Sequence, residues 1–452
     1  MNAPRKRLMP ILRWFYPGLG VKRWLLVAII GLLLLVNAIN RYLVANGAHF
    51  HANELFDGFV ADYFSPAYLS WIFGIIGLVL IFFGIRQWLS AIIRASATGG
   101  QNRIVDTLIE MRLQQGYKIV AIGGGTGLST LLRGLKRKTA NLTAVVTVSD
   151  DGGSSGRLKK ELGVLPPGDV RNCLVALADD EAMVTDLFRY RFHEGEGLIG
   201  HSFGNLFLAA MTGITGNFDK AIKESSRVLN IKGRVLPSTL GVVSLCAKLA
   251  DGTIVEGESH ISKSRQRIDS VYFNPPFAQP LNEVLAAIRE ADAIVLGPGS
   301  LFTSILPNFL VDRISYEVAA STAIKMYVCN VMTQPGETDS LTAGEHVEAL
   351  LRNAGERVCD YVIVNDQPPS KLLEAYAEEG QVPVVPDIPH IEALKMTPVV
   401  AQVISETINV RHDSQRLAEV VIGVIDRAIA QRASFMKPAP AQPRGERFNS
   451  PA

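Results

Sequence analysis

From Tyr117 onward, runs of consecutive apolar residues alternate with stretches whose apolar positions recur every three or four residues. "YKIVAIGG" and "LTAVVTVS" are runs of the first kind, followed later by "AIVLGPGS", "IKMYVCNV" and "YVIVND". A strand that is apolar at every position is buried on both faces, which is the condition of a parallel sheet covered by helices. Helical spacing fills the gaps. Leu128, Leu131, Leu132 and Leu135 share one face, and helices are predicted over 170–178, 201–211, 218–229, 281–290 and 342–354. Around Asp251-Gly252, the segments 242–249 and 253–258 predict a hairpin. The pattern predicts an α/β domain with a Rossmann-like parallel sheet over 117–435.

The first hundred residues have a different texture. "WLLVAIIGLLLLVNAI" (24–39, extending toward Leu43) and "YLSWIFGIIGLVLIFFGI" (68–85) each approach the length that crosses a hydrocarbon core of about 30 Å. Arg5, Lys6, Arg7, Arg13, Lys22 and Arg23 precede the first segment without an acidic residue among them, whereas Glu54, Asp57 and Asp62 lie between the two. Arg86, Arg94 and Arg103 follow the second. That asymmetry predicts two spans (about 24–43 and 68–85) with both termini and the main domain cytoplasmic, hence a multi-pass cell-membrane protein in contact with the lipid bilayer. Trp24, Tyr68 and Trp88 stand where interfacial aromatics do. The alternatives are a cleaved signal peptide, for which the basic region is too long, and a hairpin that dips in without crossing. The chain then divides into a basic terminus (1–23), a transmembrane hairpin (24–88), a polar helical linker (89–116), the α/β domain (117–435) and a Pro-rich tail (436–452) expected to be disordered.

Composition narrows the chemistry. Over 452 residues the apolar fraction is 48% and the formal net charge +2, so nothing in the charge balance calls for nucleic acid. Cys173, Cys246, Cys329 and Cys359 are scattered, without paired spacing or neighbouring histidines, which argues against a metal site or a disulfide framework.

Ligands of parallel α/β sheets sit beyond the carboxyl ends of the strands, and three glycine-rich turns fall at such ends: 123–127, 150–156 and 297–300. The first holds Gly123, Gly124, Gly125, Thr126 and Gly127, then Leu128 where a dinucleotide fingerprint has its third glycine. No Gly-Lys-Ser/Thr follows, so Walker A chemistry is excluded. What remains is a turn with free amides at a helix start, which favours an anion. In "DDGGSSGR", Asp150 and Asp151 could accept from a ribose or sugar hydroxyl, Ser154 sits in the loop, and Arg157 could meet a phosphate. The loop itself reads as mobile until a ligand orders it. Asp169, in "LPPGDVRN" with Asn172, suits either a helix N-cap or a carboxylate at the mouth of the site. "GHSFGN" offers Gly204 and Asn205, with His201 more suited to a structural bond than to catalysis. In "GPGSLFTSILPN", Gly297 and Gly299 give access while Ser300 and Thr303 are placed to donate at a helix start.

The ordered set "AIGGGTGLSTLLRGLK", "VTVSDDGGSSGRL", "LPPGDVRN", "GHSFGN", "VLPSTL", "GPGSLFTSILPN" and "MTQPGET" resembles the bacterial gluconeogenesis-factor (YvcK) family, related to the 2-phospho-L-lactate transferase CofD. The resemblance covers roughly 118–425; the N-terminal hairpin departs from the usual soluble members. It implies a Rossmann-like core and a UDP-sugar ligand such as UDP-GlcNAc or UDP-glucose. It also implies a link to carbon metabolism, cell shape and peptidoglycan synthesis rather than an assigned reaction, with envelope-synthesis proteins and a second copy of the chain as conceivable partners. The transferase branch instead moves a phospholactyl group from a guanosine diphosphate donor to a deazaflavin alcohol. By that resemblance Gly124, Gly125, Thr126 and Gly127 match the phosphate-side loop of both branches, and Asp169 falls beside the transferase's acceptor hydroxyl. "DDGGSSGR" and "MTQPGET" favour the YvcK branch. Mg²⁺ travelling with a nucleotide diphosphate is the one cofactor this chemistry suggests.

Overall fold

The computed structural model describes residues 21–45, 66–96, 110–179, 181–369, 373–406 and 410–435. The chain divides into two compact units, Met1–Glu110 and Met111–Ala452. The basic terminus, the loop between the apolar segments, most of the predicted linker and the Pro-rich tail lie outside the described residues.

The N-terminal unit is a pair of helices, α1 (Val21–Ala45) and α2 (Pro66–Ser96). They touch almost backbone to backbone. A Cβ on Gly31 would lie 2.8 Å from the Gly77 carbonyl oxygen, and one on Gly84 would lie 2.8 Å from the Ala28 nitrogen. Close contact through small residues is how helices associate where there is no water to expel. Trp24 meets Phe83 edge-on at 5.6 Å. By length and composition α2 holds one stretch fit to cross a membrane, Ser70–Gln87, whereas the apolar stretch of α1, Trp24–Ile39, is shorter.

In the second unit, β1 (Ile119–Gly123) is followed by α3 (Gly125–Leu135), and β2 (Leu142–Val146) by α4 (Gly153–Leu162) and α5 (Gly168–Leu177). Then come β3 (Arg234–Pro237), β4 (Ser244–Leu249), β5 (Ile254–Glu256), β6 (Ile268–Asn274), β7 (Ala293–Leu296), β8 (Ile324–Val328), β9 (Tyr361–Asn365), β10 (Thr397–Ala401), β11 (Ile404–Glu406) and β12 (Val410–His412). Seven strands form one parallel sheet in the order β10-β9-β8-β7-β1-β2-β3. The predicted hairpin is β4–β5, and β6 completes it as a third antiparallel strand that the sequence pattern did not reveal.

The continuous apolar strands explain the layering. Val120 and Ile122 of β1 pack into one core with Leu285, Ile288, Val347 and Leu350. Ile119 and Ala121 pack into the other with Leu128, Leu131, Leu174 and Leu417. Successive side chains leave opposite faces of a strand, so each face of β1 carries its own helical layer. The helix Ala343–Ala354 starts with a capping box: Thr342 accepts from the Glu345 N–H while the Glu345 carboxylate accepts from the Thr342 N–H.

Residues 153–162 form the helix α4 rather than a mobile loop. Asp150 accepts the Gly152 N–H at 2.8 Å, which turns the chain, and Ser154 and Ser155 are buried against the next layer. Small residues allow that burial, whereas a loop reading follows from composition alone.

Candidate functional site

The chain runs from β1 outward through β2 and β3, then returns to lay β7 on the other side of β1. The order therefore reverses between β1 and β7, and that switch point is where a parallel sheet leaves a crevice at its carboxyl edge. Both flanking loops are glycine-rich. Gly124 is the N-cap of α3, with extended backbone and no side chain to cap the helix; the Gly125 N–H is turned to the Asp169 carboxyl, which leaves the Thr126 and Gly127 amides of the first turn available. Gly125 takes a left-handed φ of 63°, which only glycine adopts freely. A Cβ on Gly127 would strike the Pro298 carbonyl oxygen, with that carbonyl carbon at 2.7 Å and Gly299 Cα at 3.0 Å. The two loops are thus in backbone contact across the crevice.

A cavity of about 400 Å³ opens there. Thr126, Gly127 and Thr130 line it from α3, and Pro298 and Gly299 from the loop after β7. Asn330 and Gln334 form a polar wall that is already tied together: Asn330 donates to the Gln334 oxygen, Gln334 donates to the Ser300 hydroxyl, and the Gly299 N–H donates to Asn330. The remaining wall comes from far along the chain. Tyr376, Val410, Arg411 and His412 line it together with Val331 and Met332, and Glu379 and Gln381 complete the wall. The Tyr376 hydroxyl accepts the Val410 N–H at 3.0 Å, and Val331, Met332, Ile404 and Val410 make a small apolar core against that ring. Arg411 is exposed and has no ion-pair partner among the described residues. It brings a positive charge to the same cavity as the α3 amides. A planar apolar wall, a cation and a helix N-terminus together suit a nucleotide with its phosphates.

On the other side of the same turn lies a cluster of carboxyls, Glu337 buried and Asp150, Asp169 and Glu258 half-buried. A Cβ on Gly124 would strike an Asp169 carboxylate oxygen. Burial, with Asp150 adding repulsion, pushes the Asp169 carboxyl up to about 7 against the pull of the Gly125 N–H and Arg171. Burial pushes Glu337 up to about 7, although Ser262 and Thr303 donate to it. Glu258 rises furthest, to about 10, through burial and then Asp150, Asp169, Glu337 and Asp151. Burial likewise raises Asp150. Arg171 is the cation closest in effect, and its two terminal nitrogens donate to Ser202, Asn205 and Asn172 rather than to these carboxyls. Among the described residues, no group of three or more His, Cys, Asp or Glu is placed to hold a metal ion.

These arrangements sort the residues singled out from the sequence. Thr126, Gly127 and Gly299 line the cavity, while Gly123, Gly124, Gly125, Leu128, Gly297 and Ser300 build the two loops behind it, Leu128 from within the core. Asp150, Asp151, Ser154, Arg157, Asp169, Asn172, Gly204 and Asn205 do not line it. Asp151 accepts from the N–H and hydroxyl of Ser259, and Arg157 donates to the Ile199 carbonyl. Ser154 bonds to His201 Nδ1 at 2.9 Å and receives the Asn205 amide, so His201 serves the structural role its context suggested. Asn172 accepts from Arg171, whose side chain Gly204 admits. Two roles need correcting. Asp169 is not an N-cap: Pro167 holds that position, and Asp169 lies half-buried in the first turn of α5. Thr303 does not donate toward a ligand, because its hydroxyl is buried and donates to Glu337. Tyr376, Arg411 and His412 escaped sequence reasoning; "VRHD" carries no glycine signal, and its strand is three residues long.

Residues 119–404 match the family model of 2-phospho-L-lactate transferase CofD. The chain belongs to the CofD family, in its gluconeogenesis-factor (YvcK) branch. The gluconeogenesis factor of Bacillus subtilis (strain 168) is 49% identical over 310 residues, which are 68% of this chain and 98% of that one. A chain from Nostoc sp. (strain PCC 7120) is 47% identical over 418 residues, 91% of each, an alignment long enough to extend into the N-terminal helices. A crystal structure of a UPF0052-family protein from Bacillus halodurans is similar to the α/β unit, with a TM-score of 0.66 at 47% identity. It covers 68% of this chain and 99% of its own.

Proposed function

We propose that this CofD-family chain binds a UDP-sugar, UDP-GlcNAc or UDP-glucose, at the β1/β7 switch point and acts as a regulator rather than a catalyst. In that role it couples sugar-nucleotide supply to carbon metabolism, cell shape and peptidoglycan synthesis from the cytoplasmic face of a membrane. The observation that carries it is the cavity that joins the free amides of α3 to Arg411 on one side and to the apolar wall of Tyr376, Val331 and Met332 on the other. A diphosphate suits the first and a planar base the second. Mg²⁺, where it takes part, would be carried by the diphosphate.

Membrane anchoring rests on α1 and α2. Leu33, Trp71 and Phe82 are exposed at 64%, 66% and 71%, a large apolar surface for a helix pair that water would have to cover. A tether raises the local concentration of the binding domain near membrane-bound partners without any new contact. Carbonate-resistant sedimentation of the full chain with membranes is the expected result, and extraction into the soluble fraction would remove this part of the reading.

Thermal-shift titration of the detergent-solubilised chain tests the ligand, with UDP-GlcNAc, UDP-glucose, GDP and a deazaflavin alcohol, with and without Mg²⁺. Stabilisation by about 2.7 kcal/mol is expected for the correct ligand at a hundredfold excess over its dissociation constant. Arg411→Ala is expected to leave the unliganded melting temperature within about a degree, since surface substitutions away from special features shift stability little. It should weaken UDP-sugar binding by about tenfold or more, as loss of a charged hydrogen bond does. A shift with GDP and the deazaflavin in place of UDP-sugars would favour a transferase, with the protonatable Asp169 as its candidate base.

A further inference from the structure

Glu379 is the one carboxylate among the described residues that line the switch-point cavity. It follows the short helix Leu373–Glu378, which carries the Tyr376 ring, and the backbone there is tightly turned. The Glu379 and Gln381 N–H groups both donate to the Tyr376 carbonyl, and Gly380 between them takes a left-handed φ of 78°. Val382 then donates to the Thr333 hydroxyl and accepts from the Thr333 N–H, which ties the segment to the strand-like stretch carrying Met332. The Gln381 side-chain amide donates to Glu379 Oε2 at 3.1 Å, and Oε1 has no partner among the described residues. Glu379 is exposed, so that oxygen is open to solvent and to a ligand entering the cavity. Its charge decides what it can meet. A diphosphate would be repelled and belongs with the α3 amides and Arg411. Uracil presents two carbonyl oxygens and a single N–H. A ribose presents two adjacent O–H donors, and a hydrogen bond from a hydroxyl to a carboxylate is of the stronger, charge-assisted kind. Asp150 and Asp151, whose place in the sequence suggested this role, do not line the cavity, and Asp151 is engaged by Ser259.

We propose that Glu379, steadied by Gln381, accepts the hydroxyls of the nucleotide's ribose and so selects a free ribose diol. The proposal rests on the nucleotide-sugar reading of the cavity. It places the base against the Tyr376 and Met332 wall and the diphosphate at the α3 turn, with the ribose between them. A deoxyribose would leave the carboxylate without its donor, and a phosphate on either hydroxyl would set a second anion against it and be rejected.

Calorimetric titration of the full-length chain in detergent tests this with UDP-GlcNAc and two analogues, one lacking the ribose 2′-hydroxyl and one lacking the 3′-hydroxyl. Wild type is expected to bind at least one analogue about tenfold or more weaker than UDP-GlcNAc, as loss of a hydrogen bond to a charged group does. Glu379→Ala should bind UDP-GlcNAc about tenfold weaker and treat that analogue and the parent alike. Its unliganded melting temperature should stay within about a degree of wild type, because the side chain is exposed. Glu379→Gln, which keeps an acceptor oxygen but not the charge, should discriminate to an intermediate degree. A carboxylate that met only the GlcNAc hydroxyls, or only shaped the wall, would leave the ratio of parent to analogue unchanged in Glu379→Ala. That result, or equal affinity of wild type for all three ligands, overturns the assignment while leaving the cavity a UDP-sugar site. If wild type binds none of the three, the assignment and the UDP-sugar reading fall together.

Discussion

Replacing Gly127 with alanine is expected to abolish nucleotide binding and to lower the melting temperature by several degrees. The added methyl group has nowhere to go. It would strike the Pro298 carbonyl oxygen and lie 2.7 Å from that carbonyl carbon, and both belong to backbone rather than to a side chain that can swing away. Relief requires separating the β1 and β7 loops, the two walls whose contact shapes the cavity. Overpacking of this kind costs roughly 1–3 kcal/mol, and a domain of this size loses about 2–4 °C per kcal/mol. Thermal melting with and without UDP-GlcNAc measures both effects. A variant that keeps the wild-type melting temperature and ligand shift would mean that the loops are not held together as described.

Asp169→Asn is expected to do the reverse for stability. The wild-type carboxyl rises from an ordinary 3.8 to about 7 in the folded protein. The native state therefore binds its proton more tightly than the unfolded state does, and stability falls as pH rises from about 4 to about 7, the penalty being complete above that range. Asparagine keeps an oxygen for the Gly125 N–H and removes the charge. The variant should be more stable than wild type at pH 8, by up to about 4 kcal/mol if the whole shift belongs to Asp169 and by less where Asp150 shares it. The advantage should vanish near pH 4. Melting curves at pH 4.5 and pH 8 decide the matter: a variant less stable than wild type at pH 8 would show that the ionised carboxylate is the favoured native form. A residue retained at such a cost to stability is a candidate for function even though it lies outside the cavity.

The outline of the domain was legible along the chain because its central strands, β1 and β7 above all, are runs of apolar residues buried on both faces, a pattern with few other uses. "KIVAIGGGTG" revealed a strand, a tight turn and the start of a helix, and the structure places β1, Gly125 and α3 there. Side-chain direction was not legible. Asp150, Asp169 and Arg157 have the chemistry of ligand-binding groups, but Asp150 and Asp169 are drawn into a polar cluster beside the α3 turn, and Arg157 leaves the exposed side of α4 to donate to the Ile199 carbonyl. Gly153–Ser155 read as a loop because glycine and serine are common there; burial against the His201 and Asn205 layer, set by residues about fifty positions later, made it a helix. The far wall of the cavity was invisible for the same reason. Tyr376, Arg411 and His412 lie at least 246 positions after Thr130, on a short helix and a three-residue strand, and only the folded sheet brings them to the α3 turn.

Hydrogen–deuterium exchange of the detergent-solubilised full-length chain, with and without saturating UDP-GlcNAc, tests the central claim most directly. Protection is expected in 124–130, 298–300 and 410–412, segments far apart in sequence that meet at one cavity. Protection confined to 150–157 and 168–172, or none at a concentration that saturates binding, would contradict the placement of the ligand at the switch point.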